Sequence, residues 1–351
     1  MTHRRPAAPS TASTTTGSPA IGRRDALGIA AGTFAALSLG GLLPGCGDSP
    51  ALVPVAEQAI DPEAIDRDPL ALLPSKAIVL VACDARALLA TSLGADVTQI
   101  VREIVPLGAE SGFEPSRDVD RVVAGFYAMQ GADVAAVVQG RFDIAAIEKA
   151  AEAKKAMPSG KTIVKTTYAG QTMFTVGNLG FVVLTKKTML SGNEIGMRRA
   201  LDRLRYQAGF ELKRAIDGWM LETIETPNTA LALAGDFTLN SVGEAATNAV
   251  PFVVGLERAR ILGNFQSPGL NFAGTLSYKD DTAAEASGAS LRNLTDVGLM
   301  ASLFASVALG ASIPQIDARR SGKDLAVATS VDESTSRFAL KMLADAAKAQ
   351  L

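Results

Sequence analysis

Five aspartates, Asp84, Asp143, Asp236, Asp280 and Asp332, each stand where a strand pattern gives way to a helix pattern. Two carboxylates gathered from such positions can do general acid–base work, one giving a proton and the other taking it, as in glycoside hydrolysis. The same placement suits N-capping, in which an Asp oxygen accepts a free N–H of the first helical turn, at about 1 kcal/mol each. Capping accounts for all five at once. A second acidic group, Glu114, Asp118 and Asp120 with Arg117 among them, falls in one loop. Its oxygens suit a hard cation such as Ca²⁺, but the spacing is not that of an EF-hand, and a solvated loop serves as well.

Other chemistry is excluded by what is missing. The chain has 351 residues, one His (His3) and two Cys (Cys46 and Cys83). With so few of either, there is no Ser-His-Asp or Cys-His pair in the body, no histidine-ligated metal and no iron–sulfur cluster. No Walker loop is present, and no G-x-G-x-x-G follows a strand and opens a helix. Cys83 ends an apolar strand and reads as a small buried hydrophobe. No cofactor and no metal are expected. Aromatic residues are 5% and the formal charge is −2, so neither a stacking platform nor a phosphate-binding surface for nucleic acid is expected. Arg198, Arg199, Arg203, Arg205, Lys213 and Arg214 interleave with Glu194, Asp202 and Glu211. Pairs such as Glu194–Arg198 predict an ion-paired helix face, with docking to an acidic partner as the functional alternative. Trp219, the one tryptophan, is expected in the core or at a partner surface.

The N-terminus carries an address. After twenty polar residues comes Gly22-Arg23-Arg24-Asp25-Ala26-Leu27, then an uncharged Ala-, Gly- and Leu-rich stretch. Positive region, apolar region and small-residue processing site follow in the order of a secretory signal. Arg23 and Arg24 resemble the twin-arginine export signal, with Leu27 also matching and Gly22, Ala26 and Gly28 departing from it. Leu42-Leu43-Pro44-Gly45-Cys46 resembles the lipobox of bacterial lipoproteins; Leu43, Gly45 and Cys46 fit, and Pro44 departs. The resemblance spans about residues 20–46. It implies lipidation of Cys46, cleavage between Gly45 and Cys46, and a lipid anchor on the cell membrane or outer membrane, facing the periplasm or exterior. Without residues 1–45 the chain keeps 30 basic and 35 acidic residues and no histidine. A net-negative body gains nothing from anionic headgroups, so the lipid does the anchoring.

Residues 46–74, with five prolines and an acidic run, read as a flexible tether. Beyond it the pattern is strand, helix, hairpin, helix, hairpin, helix, and it restarts near residue 227. Asp84 and Asp236 are 152 residues apart, as are the turn glycines Gly170 and Gly322. The expected fold is therefore α+β: two repeated modules, 75–226 and 227–351, each an antiparallel sheet with helices packed on one face. Spacing leaves open whether they are two domains or one sheet. A helix is expected from Asp236 to about Ala249, and the uncharged stretch Val297–Ile313 reads as a core helix, too short and too interrupted for a membrane span.

These features point first to a membrane-anchored, non-enzymatic envelope lipoprotein that binds or assembles. The alternatives are a histidine-free, carboxylate-dependent hydrolase exported in folded form, and a carrier of an apolar ligand held between sheet and helices. The carrier predicts a cavity of about 300–1,000 Å³ lined by Leu, Val and Phe.

Overall fold

The apolar run at residues 77–82 becomes the middle of the molecule. In a computed structural model, β1 (Val79–Asp84) pairs antiparallel with β2 (Val119–Phe126) on one side and with β8 (Leu231–Asp236) on the other. The structure describes residues 61–104, 107, 111–128, 133–153, 162–206, 213–238, 251–266, 269–293, 316–338 and 340–341. The signal, the lipobox, tether residues 46–60, the helix expected up to Ala249 and the stretch Val297–Ile313 lie outside them.

The other strands are β3 (Val134–Gly140), β4 (Val164–Tyr168), β5 (Gln171–Val176), β6 (Leu179–Val183), β7 (Thr188–Asn193), β9 (Leu256–Asn264), β10 (Gly269–Tyr278), β11 (Ile316–Ser321) and β12 (Asp324–Asp332). They form one twelve-stranded sheet in the order β11-β12-β10-β9-β8-β1-β2-β3-β7-β6-β5-β4. Every neighbouring pair is antiparallel. The two halves thus share a sheet, joined by Leu80 opposite Ala234 and Ala82 opposite Ala232.

From this joint both halves run outward alike for four strands, β1-β2-β3-β7 and β8-β9-β10-β12. Asp84 faces Arg121 across β1–β2, and Asp236 faces Arg258 across β8–β9. The repeat inferred from spacing goes no further. Gly322 turns β11 into β12, beside β10, whereas Gly170 turns β4 into β5, a hairpin at the far edge. That turn holds Ala169 at φ 50° and Gly170 at φ 74°, the backbone of a tight hairpin. The shared 152-residue spacing of the two glycines is coincidental.

The helices of the first half are α1 (Pro62–Arg67), α2 (Ala85–Leu89), α3 (Gly94–Ile104), α4 (Pro115–Asp118), α5 (Ile144–Ala153), α6 (Glu194–Tyr206) and α7 (Gly218–Ile224); α8 (Asp281–Asn293) belongs to the second half. They cover both faces of the first half, not one. Strand alternation decides this. In β7, Met189 packs with Phe174, Phe181 and α5's Ile147. Leu190 points the other way, to Leu80, Val137 and α6's Met197 and Leu201. Helices on one face would leave one of these apolar sets in water, at about 1.5–3 kcal/mol per side chain. In the second half α8 packs through Ala284 and Leu291 against Leu276 and Leu325.

Residues 61–74 are not tether. Asp61 caps α1 by accepting from the Glu63 N–H at 3.0 Å, and Pro62 supplies a preset φ at its first turn. Asp66 accepts from the hydroxyls of Thr185 (2.5 Å) and Thr188 (2.8 Å). The Arg203 guanidinium donates to the Ala71 carbonyl at 2.9 Å, and Arg214 pairs with Asp68 at 2.8 Å. Ile65, Leu70, Leu72 and Leu73 are buried in the core. The prolines that suggested an extended linker instead start α1 and the 3₁₀ turn Pro69–Leu72.

Candidate functional site

Four of the five strand-end carboxylates are occupied as caps. Asp84 accepts from the Ala87 N–H (2.9 Å), Asp143 from Ala146 (3.0 Å), Asp280 from Ala283 (2.7 Å) and Asp332 from Thr335 (2.8 Å). Asp236 accepts from the Thr238 N–H at 3.0 Å and its hydroxyl at 2.5 Å, and lies 3.7 Å from Arg258. In each of the five, one carboxylate oxygen is held by a backbone N–H two or three residues ahead.

The acidic loop is ion-paired throughout. Arg117 donates twice to Asp118 at 2.7 Å, Arg102 pairs with Glu114, and Asp120 sits between Arg86 (2.5 Å) and Arg141 (3.3 Å). Burial alone would raise the Asp118 carboxyl, but Arg117, the Glu114 N–H and the positive charge of Arg141 hold it below the usual aspartate range. Among the described residues no group of three or more Asp, Glu, Cys or His side chains is placed to hold a metal ion.

The basic residues of α6 are likewise engaged. Arg198 pairs with Glu194 at 2.5 Å and lies 4.7 Å from the Tyr168 ring centre. Arg199 pairs with Asp133 at 2.5 Å over Tyr127. Arg203 and Arg214 pin residues 68–72, as above. These charges hold the fold together. Trp219 packs on the core at the joint of the two halves, with Arg258 and Arg260 5.4 and 5.2 Å from its ring centre.

What remains is a cavity of about 280 Å³ between the first half of the sheet and α2–α4. Its floor is one face of five strands: Cys83 of β1, Val122 of β2, Val138 of β3, Met189 and Ser191 of β7, and Leu179 and Phe181 of β6. Its roof is Leu88 and Leu89 of α2, Val97 and Val101 of α3, and Phe113 and Pro115 beside and within α4. Among the described residues no charged side chain lines it. The helical spacing of the apolar residues at 88, 89, 97 and 101 was legible in the sequence, although they divide between two helices, α2 and α3, where the spacing suggested one. That they roof a void was not, since the void depends on the span between α2–α3 and the sheet. Its volume falls just below the range expected of an apolar-ligand site, and its lining matches. Cys83 is half-buried at this wall. Burial, reinforced by the Asp84 charge, pushes its thiol up to about 11, so it is a poor nucleophile at neutral pH.

No helix among the described residues is long and apolar enough to cross a membrane. The chain matches no protein-family model and no curated protein. It is similar to solved structures of TP0453. Crystal form I aligns with a TM-score of 0.47 at 11% identity, over 79% of this chain and 97% of that one. Form III aligns at 0.46 and 12%, over 79% and 98%. Form IV aligns at 0.43 and 13%, over 82% and 96%.

Proposed function

We propose that this protein is a lipid-anchored, non-enzymatic component of the bacterial envelope that binds an apolar molecule in the cavity beneath α2 and α3. The cavity carries the reading. Val, Leu, Phe and Met make most of its wall, with no charged residue among the described ones, and an apolar recess of this kind rewards an apolar guest by removing its surface from water. The arginine pair Arg23-Arg24 and the lipobox at Cys46 support the location.

Two experiments test the two parts. Replacing Cys46 with Ala is expected to move the protein from the detergent-rich to the aqueous phase in a phase-partitioning assay. Persistence in the detergent phase would overturn the anchor. For the cavity, the mature chain carrying Cys46→Ala, purified without detergent, is expected to bind the methyl ester of cis-parinaric acid, an uncharged fluorescent acyl chain, saturably at one per protein. Val122→Trp fills the void from the sheet side and should weaken that binding at least tenfold while the far-ultraviolet circular dichroism stays the same. Val97→Trp does so from the helix side and serves if the first variant misfolds. Absence of saturable binding in the parent would overturn the cavity's role.

A further inference from the structure

A second recess adjoins the cavity, and Phe113 lines both. Its other walls include Arg117, Arg141, Lys186 and Lys187. The two spaces are built from the same segments. Residues 115–117 give Pro115 to the cavity and Arg117 to the recess. The end of β3 gives Val138 to the cavity and Arg141 to the recess. The turn into β7 gives Met189 to the cavity and Lys187 to the recess. Three times, an apolar residue of the cavity and a cation of the recess stand two or three positions apart in the chain, so the two spaces are neighbours.

The carboxylates in the recess are already committed. Asp118 is held by Arg117, and Asp143 caps α5. Arg141 is shared with Asp120 and the Arg117 carbonyl. Lys186 and Lys187 are exposed, and among the described residues neither amine has an ion-pair or hydrogen-bond partner. Their backbone carbonyls accept from the Phe142 and Gly140 N–H groups, so the turn keeps its shape whatever the side chains are. The recess therefore holds excess positive charge at the edge of an uncharged cavity.

Building on the cavity reading above, we propose that the ligand is a single-chain anionic amphiphile of the fatty-acid type. Its acyl chain occupies the cavity and its carboxylate lies beyond Phe113 against Lys186 and Lys187. A charged headgroup gains nothing by following the chain inward, because no charged side chain among the described residues lines the cavity and the headgroup would lose its water. At the recess it keeps its water and gains two cations.

The test uses the same detergent-free mature chain and two probes that differ only in charge, cis-parinaric acid and its methyl ester. The acid is expected to bind roughly tenfold more tightly, with a preference that shrinks as salt is raised. Lys186→Glu with Lys187→Glu should abolish that preference and leave the ester's affinity unchanged. If acid and ester bind equally, or if the charge reversal weakens both alike, the headgroup assignment is overturned while the cavity reading stands. If neither probe binds, the cavity reading itself falls.

Discussion

A Gly192→Val chain is expected not to accumulate as folded protein. Gly192 lies in β7 opposite Ala135 of β3, with φ at 143°, a backbone that side chains rarely adopt. A Cβ there would stand 2.1 Å from the Val134 carbonyl oxygen and 3.2 Å from the Ala135 Cα. Neither is the end of a flexible side chain, so relief requires moving β3. That motion would also break the link made by the next residue. The Asn193 side-chain oxygen accepts from the Val134 N–H and the Gly196 N–H, both at 3.0 Å, fastening β3 to the first turn of α6. Gly196 approaches the same Val134 carbonyl, and a Cβ added there would also stand 2.1 Å from its oxygen. Losing this junction separates α6 from the core, at a cost of more than about 4 kcal/mol. Domains are stable by about 5–15 kcal/mol, so much of the margin goes. The readout is soluble yield and thermal unfolding by circular dichroism. Gly218→Ala is the control: a Cβ there meets nothing within 4 Å, and its effect should be near zero. A Gly192→Val melting temperature within a few degrees of the parent would refute the argument.

The second large effect is expected from Leu80→Ala. Leu80 is fully buried in β1, between Gly125 of β2 and Ala234 of β8. It shares one core with Val137 and Leu190 of the first half and with Ala232 and Ala234 of the second. Truncation should cost about 2–5 kcal/mol, part lost burial and part unfilled cavity. Because β1 is bonded to both halves, the loss is expected to lower a single calorimetric transition. Two transitions, only one of them moved by Leu80→Ala, would mean that the halves unfold independently and that the β1–β8 joint does not couple them.

These two positions mark the limit of local reasoning. The caps at Asp84, Asp143, Asp280 and Asp332 were legible because a cap involves a residue and the next three. The α+β class was legible because alternation and helical periodicity are local too. β7 was not: Thr188-Met189-Leu190-Ser191-Gly192-Asn193 mixes polar and apolar residues without alternating. It is a strand buried on both faces between β3 and β6, and its glycine serves a close approach that only the packed sheet makes visible.

Residues 61–74 depart from the expected tether for a related reason. Proline and aspartate in residues 61–74 mean an extended chain when nothing else touches them. Here Thr185, Thr188, Arg203 and Arg214, more than a hundred residues away, convert the segment into part of the core. Chemistry that depends on residue type, by contrast, is constrained by composition alone. Residues 61–351 hold no histidine and a single cysteine, Cys83, and so have few routes to nucleophilic or histidine-ligated metal catalysis wherever their atoms lie. The sequence by itself determined the capped helix starts at Asp84, Asp143, Asp280 and Asp332 and the α+β class, because each depends on chain neighbours. The tertiary structure decided that two halves form one sheet, that helices cover both faces, and that apolar residues from α2, α3 and five strands enclose a void. Those outcomes rest on pairings between distant segments, whose energy exists only once the chain has closed.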